Sequence, residues 1–364
     1  MDRFNRLHKE MKQAKIDSLF ITSKANIYYF TNFYTEPHER LVAVYVDLSG
    51  NSLLILPEME KESAIASGWK GDLLPYNDQD NPWHMFEKYL SVSNRSLDSL
   101  GIEKDHVTVE RYEQITNLFV NANIVDAKET LANLRVVKDK QELDILKQAA
   151  AFADLGVKTG IEAIEEGKSE LEILAKIEYA LKKQGIREMS FSTMVLTGKK
   201  TASPHGHPGL EKVSKGDLVL FDLGVIFQGY CSDITRTVAF KTVNEQQRNI
   251  YNTVLTAQQK AIEAASIGRP MNHLDYAARN YITEQGYGEY FTHRIGHGIG
   301  IDVHEYPSLN ATNELPLKAG MSFTIEPGIY VPNIGGVRIE DEIFMSEKGA
   351  QLLTNYPKEL QIIG

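Results

Sequence analysis

The chain has 364 residues, a length that suits about two domains, each able to bury its own core. With 39 basic against 49 acidic residues and a net charge of −10, it offers phosphate backbones no broad attraction, which excludes nucleic acid as an expected partner. The single cysteine, Cys231, excludes an intramolecular disulfide, and with a charged N-terminus and no 18-residue apolar run it predicts a cytoplasmic protein without a membrane partner.

Phe4, Leu7, Met11 and Ala14 recur at helical spacing, and residues 18–22 read as a strand. Strands are expected at 41–46 and 52–56, helices at 58–67 and 83–90, and short extended segments at Ile102, 107–109 and 124–125. This mixture predicts an α/β domain over residues 1–125. Between its elements, the charged stretch 34–40 around Pro37 reads as a solvated loop; the alternative is that His38 or Arg40 projects toward a ligand in the other domain or in a partner subunit.

Residues 126–130 are polar, and 126–138 reads as a linker to a second domain, 139–364. Asp139 with Glu142 and Ser169 with Glu172 form capping-box pairs. The first opens a long helix with Leu143, Leu146, Ala150, Ala153, Val157 and Ile161 on one face, and the second opens a helix that ends before Gly185. A strand is expected over 189–196, turns over 198–209, a helix opened by Asn244 and Gln247 that stops before Gly268 and Pro270, and another over about 272–285.

Chemistry concentrates in two apolar hairpins and one glycine-rich segment. Residues 218–240 read as two strands about a turn; centred between Phe227 and Gln228, that turn makes Asp222 and Asp233 cross-strand partners on one face. Two carboxylates about 5 Å apart repel by roughly 3 kcal/mol at an effective dielectric near 20. A bound cation offsets this, although a wider loop with both acids in solvent satisfies the hairpin equally. A turn centred at Asn333 makes Glu326 and Glu340 a second facing pair. Residues 293–305 hold too many glycines for a helix and are expected to be extended, with glycines where another backbone comes close.

Two buried acid pairs and a glycine-set histidine need a shared explanation, and a two-metal site supplies it: Asp222, Asp233, His297, Glu326 and Glu340 as ligands. The oxygen and imidazole donors suit manganese, cobalt, iron or zinc better than copper. Cys231 reads as a packing residue beside the site. Such a site activates water and polarises a carbonyl, and His205 and His304 are candidates for stabilising the tetrahedral intermediate and moving protons. His207 and His293 read as ordinary polar residues. The glycine spacing at 296–300 is not a dinucleotide fingerprint, 198–201 lacks the upstream glycine of a phosphate loop, and no zincin pair or G-x-S-x-G occurs.

At these residues the chain resembles the pita-bread metallopeptidases, specifically the proline-peptidase branch containing Xaa-Pro dipeptidase (prolidase) and aminopeptidase P. Segments 293–305, 221–224, 231–236, 325–328 and 336–341 match the branch's motifs. The resemblance implies an α+β architecture, a C-terminal catalytic pita-bread domain behind a smaller N-terminal α/β domain. It implies that Asp222 chelates one metal, that Asp233 and Glu340 bridge, and that His297 and Glu326 hold the second, with Glu326 as general base. His205 and His304 match the family's two substrate-facing histidines; Gly206 departs from many relatives. Two Mn²⁺ ions are implied, with Co²⁺ or Zn²⁺ as alternatives, and a homodimer in which the N-terminal domain helps close the site, which adds weight to His38 and Arg40. The implied substrate is a small peptide with proline after the scissile bond. In a dipeptidase the free carboxylate needs a cation, for which Arg294 and Arg338 stand beside metal ligands; their structural alternative is an ion pair near an acidic site. Aminopeptidase P on longer peptides is the second reading, and a non-catalytic pita-bread binding module the reading from another class.

Overall fold

The computed structural model of the protein describes residues 3–93 and 97–364, which divide between Arg135 and Val136 into two units. The first contains α1 (Arg3–Ala14), β1 (Ser18–Ile21), α2 (Lys24–Thr31), β2 (Ala43–Asp47), β3 (Ser52–Pro57), α3 (Lys61–Ala66), β4 (Asp72–Tyr76), α4 (Pro82–Ser93), β5 (Ser99–Ile102), α5 (Val109–Leu118), β6 (Asn123–Asp126) and all but the last residue of α6 (Lys128–Val136). Its sheet runs β4-β3-β2-β1-β5-β6, with β2 antiparallel to both neighbours and the outer pairings parallel. β1 and β2 are buried along their whole length, as near-continuous apolar strands require. Phe20, Tyr45, Ile55, Phe86 and Ile115 fill the core.

Four segments differ from the sequence expectation, the first being β4, where no strand is expected. Helix α2 is unanticipated, with Ser23 as its cap. Thr108 caps α5 by accepting from the Arg111 amide, so the stretch expected to be extended at 107–109 is a helix start; arginine at the third position hides a box that an acid would reveal. The stretch read as a linker is mostly α6, because Leu131 and Leu134, just beyond the polar run, are buried and give the helix an apolar face.

The second unit contains α7 (Lys140–Glu162), α8 (Glu170–Lys183), β7 (Glu188–Met189), β8 (Met194–Thr197), β9 (Leu218–Leu223), β10 (Val225–Phe227), β11 (Tyr230–Cys231), β12 (Ile234–Phe240), α9 (Glu245–Ala264) and α10 (Asn272–Glu284). It continues through β13 (Gly296–Gly298), β14 (Glu305–Leu309), β15 (Ser322–Ile325), β16 (Gly328–Val331), β17 (Gly335–Arg338), β18 (Asp341–Ser346), β19 (Gly349–Leu352) and β20 (Ile362–Ile363). All three capping boxes form, at Asp139 with Glu142, Ser169 with Glu172 and Asn244 with Gln247. The strand expected over 189–196 is split into β7 and β8, which belong to different sheets.

Two sheets carry the site, β20-β12-β9-β8 and β14-β13-β15-β18-β19, beside the β16-β17 ribbon. Helices α7 and α8 cover the first through Ala153, Val157, Ile177, Phe221 and Leu223. Helices α9 and α10 share a second core with Phe323, Ile325, Val337 and Ile343. Helices thus back both sheets, and the loops and hairpin ends at the sheet junction are left to hold polar side chains.

Candidate active site

The turn between β10 and β11 sits at Gln228 and Gly229, both at positive φ (46° and 74°), as a two-residue hairpin turn of the primed kind requires. The register is therefore one residue further along than a turn between Phe227 and Gln228 would give. Asp222 opposes Thr235, not Asp233. Because side chains alternate along a strand, Asp233 keeps the face of Thr235 and stands diagonal to Asp222. The expected direct pairing is corrected, and the shared face is kept.

The second pair keeps its register. Ile325 opposes Asp341 and Gly328 opposes Arg338, which leaves 326 and 340 opposite each other where Pro327, lacking an N–H, interrupts the ladder. The Glu326 amide donates instead to Ile295 O (2.8 Å), and the Glu340 amide to Thr235 O (3.1 Å). Each glutamate is thereby tied to another ligand-bearing segment.

His297 lies at the middle of β13. A Cβ on Gly296 would stand 1.9 Å from Thr324 O, so glycine is what lets β13 close against β15. His297 Nδ1 lies 3.1 Å from Gly298 O, which can only accept, so this nitrogen carries the proton and Nε2 presents a lone pair. Burial, then the neighbouring His304, pushes the His297 pKa down to about 3, which keeps the ring neutral. Its Nε2 stands 3.4 Å from Glu326 Oε1 and 3.7 Å from Asp233 Oδ2.

Asp222, Asp233, His297, Glu326 and Glu340 all line one cavity of about 430 Å³, with His205, His304, Arg294 and Arg338 on its walls. Burial, reinforced by the neighbouring acids, raises the pKa of Asp233 and Glu326 well above the ordinary carboxylate range and that of Glu340 to about 7. Donor atoms of Asp233, His297 and Glu340 lie within 4.8 Å of one another, and Asp233 Oδ1 and Glu340 Oε1 are buried without a hydrogen-bond partner. A histidine lone pair facing carboxylate oxygens, with orphaned oxygens beside it, fits a divalent cation and is unfavourable without one. The ring of His304 meets that of His297 edge-on at 4.2 Å. His205 is exposed on the 198–209 loop. His38 and Arg40 lie in the first unit, where Arg40 pairs with Asp78 (Nε to Oδ1 3.0 Å) and lines a separate cavity with Tyr76, Trp83 and Arg111.

Arg338 and several residues without an assigned role in the sequence also join the site. Arg338 is buried and donates to Asp222 Oδ2, Tyr330 OH (2.8 Å) and Thr235 Oγ1 (3.1 Å). Thr235 donates in turn to Glu340 Oε2 (2.7 Å). His293, read as an ordinary polar residue, lines the cavity; its Nδ1 donates to Arg294 O (2.8 Å), so its Nε2 accepts from Tyr330 OH (2.9 Å). Glu342, buried throughout, takes the Asp233 amide on Oε1 at 2.8 Å. Its place two residues beyond Glu340, on the same strand face, is the one signal of it that the sequence carries.

Residues 144–347 match the model of metallopeptidase family M24, and residues 3–137 that of the creatinase/prolidase N-terminal domain. The Bacillus subtilis (strain 168) protein YkvY is 50% identical over 363 residues, covering 100% of both chains. Among solved structures, Xaa-Pro dipeptidase from Bacillus anthracis is 33% identical with a TM-score of 0.93, covering 100% of this chain and 99% of its own. Prolidase from Pyrococcus furiosus is 38% identical with a TM-score of 0.86, covering 96% and 100%. A family match over most of the second unit, a relative half identical along its whole length and a cavity whose donors fit a divalent metal lead to one conclusion: the chain belongs to metallopeptidase family M24 and is a metallopeptidase of the pita-bread fold.

Proposed function

We propose that the protein hydrolyses the peptide bond before proline in Xaa-Pro dipeptides, in line with the names of the Bacillus anthracis and Pyrococcus furiosus neighbours, and that it uses two divalent ions to do so. The observation that carries the reading is the convergence of four acids and a neutral histidine lone pair in one cavity. Asp222 would hold one ion, Asp233 and Glu340 would be shared, and His297 and Glu326 would hold the other. Ions bound there supply an acidified water and a polarised scissile carbonyl.

The chain's own residues do the rest. Glu326 is the general base: its side chain is 16% exposed, against 6% for Asp233, so it is the more open to the cavity. His304, whose pKa burial and then Arg294 push down, is a neutral N–H donor toward the carbonyl oxygen, and His205 faces the same space from its loop. Arg338 is committed to three protein acceptors, which favours Arg294, held to Ser308 Oγ at 3.3 Å, as the cation for the dipeptide's carboxylate. Manganese as the preferred ion, a homodimer and a cytoplasmic location complete the proposal.

The test compares the manganese-loaded enzyme on an Xaa-Pro dipeptide and on an Xaa-Pro-Xaa tripeptide. A higher kcat/KM for the dipeptide is expected; preference for the tripeptide replaces the reading with aminopeptidase P.

A further inference from the structure

We infer that Glu170 is the positioning residue for His205, clasping the loop that carries it at both ends; this rests on the role proposed for His205 above. Glu170 is the first residue of α8, and its side chain is fully buried. Both carboxylate oxygens are spent on one segment. Oε1 accepts from Thr197 N (2.8 Å), and Oε2 accepts from Gly209 N (2.7 Å) and Lys200 Nζ (2.7 Å). Thr197 ends β8 before the loop and Gly209 closes it, so the two amides bracket His205 from either side.

The same helix start adds backbone ties, Glu170 N to Glu211 O (3.1 Å) and Leu171 N to Gly209 O (3.2 Å). Inside the bracket the loop turns on itself through Ser203 N to Lys200 O and Gly206 N to Ser203 O, and the Thr201 hydroxyl takes the Gly336 amide at 2.8 Å. A buried carboxylate is costly unless it is paired and hydrogen-bonded. Here Lys200, two amides and the positive end of α8 supply the compensation. His205 itself is exposed, with little packing to fix its ring. The stems of the loop therefore set where the imidazole stands, and a displacement of 1 Å in such a group costs up to about a hundredfold in rate.

Glu170→Gln keeps the shape but places an N–H donor against an amide or the lysine, releasing one stem. The expected result is a kcat lower by about tenfold to a hundredfold, with KM and bound metal unchanged. In a His205→Ala background the same substitution causes no further loss, because a residue that acts through His205 has nothing left to position. Because Lys200→Met would leave Glu170 a buried charge without its cation, the guard against a fold effect is the melting temperature of Glu170→Gln, expected to stay close to that of the parent while kcat falls. Losses that multiply fully in the His205→Ala background overturn the clasp while leaving the role of His205 intact. An unimpaired His205→Ala enzyme overturns that role and the clasp with it.

Discussion

Asp233 separates two effects that are usually entangled. It is buried, faces other acids and leaves Oδ1 without a partner, so its charge opposes the metal-free fold, and the proposed function gives that same charge to the metal. Asp233→Asn is expected to leave the melting temperature in chelator unchanged or higher, while activity with metal falls by at least about a hundredfold. Parallel loss of both would mean that the acid is structural. Arg294 makes a different prediction. Removing a charge-assisted hydrogen bond costs about 1.5–3 kcal/mol, so Arg294→Met is expected to raise KM for an Xaa-Pro dipeptide by roughly ten- to a hundredfold, with a far smaller effect on a substrate whose C-terminus is amidated.

At the level of elements, Gly296 is the tightest constraint. Gly296→Ala drives a methyl into Thr324 O, and a shift of β13 large enough to relieve it carries His297 away from Asp233 and Glu326. The expected cost is about 1–3 kcal/mol of stability together with weakened metal uptake, read by thermal melting and by metal analysis after dialysis. The close approach at Gly296 was legible because a strand gives up side-chain packing at every glycine, so glycines at 296, 298 and 300 point to a backbone that must come near. So were the three capping boxes, whose chemistry is complete within four residues. The register at Gln228 was not, since glutamine does not advertise a left-handed backbone and only Gly229 marks the turn. Thr235 and Glu342 were harder to read for another reason: their partners lie 105 and 109 residues away, and only the place of Glu342 two residues beyond Glu340 hints at it.

For the whole molecule, the buried acids set the response to pH. Glu340 is raised to about 7 by burial and then Asp222, and burial also raises Asp233, Glu326 and Glu342 well above the ordinary carboxylate range. The native state then holds more protons than the unfolded one, and stability falls as pH rises through this range. His297 and His293, whose pKa values burial pushes down to about 3 and about 4, act oppositely, but their contribution is complete above histidine's ordinary value of 6.5. The clean window therefore begins at about pH 6.5. Metal-free protein is expected to melt at a lower temperature at about pH 8 than at about pH 6.5, and excess divalent metal to reverse that slope by displacing the protons. A flat melting profile in chelator would show that the acids are not forced together.

The lone thiol carries a practical consequence of this architecture. Cys231 is buried, its Sγ donates to Ile301 O at 3.3 Å, and burial pushes its pKa up to about 12. Thiolate is the reactive species, so native protein is expected to resist maleimide at about pH 7 and to react once guanidinium exposes the side chain. A cysteine introduced at any exposed position would then be the sole target for a fluorophore or spin label, and distance measurements across the catalytic cycle need no prior removal of the native thiol.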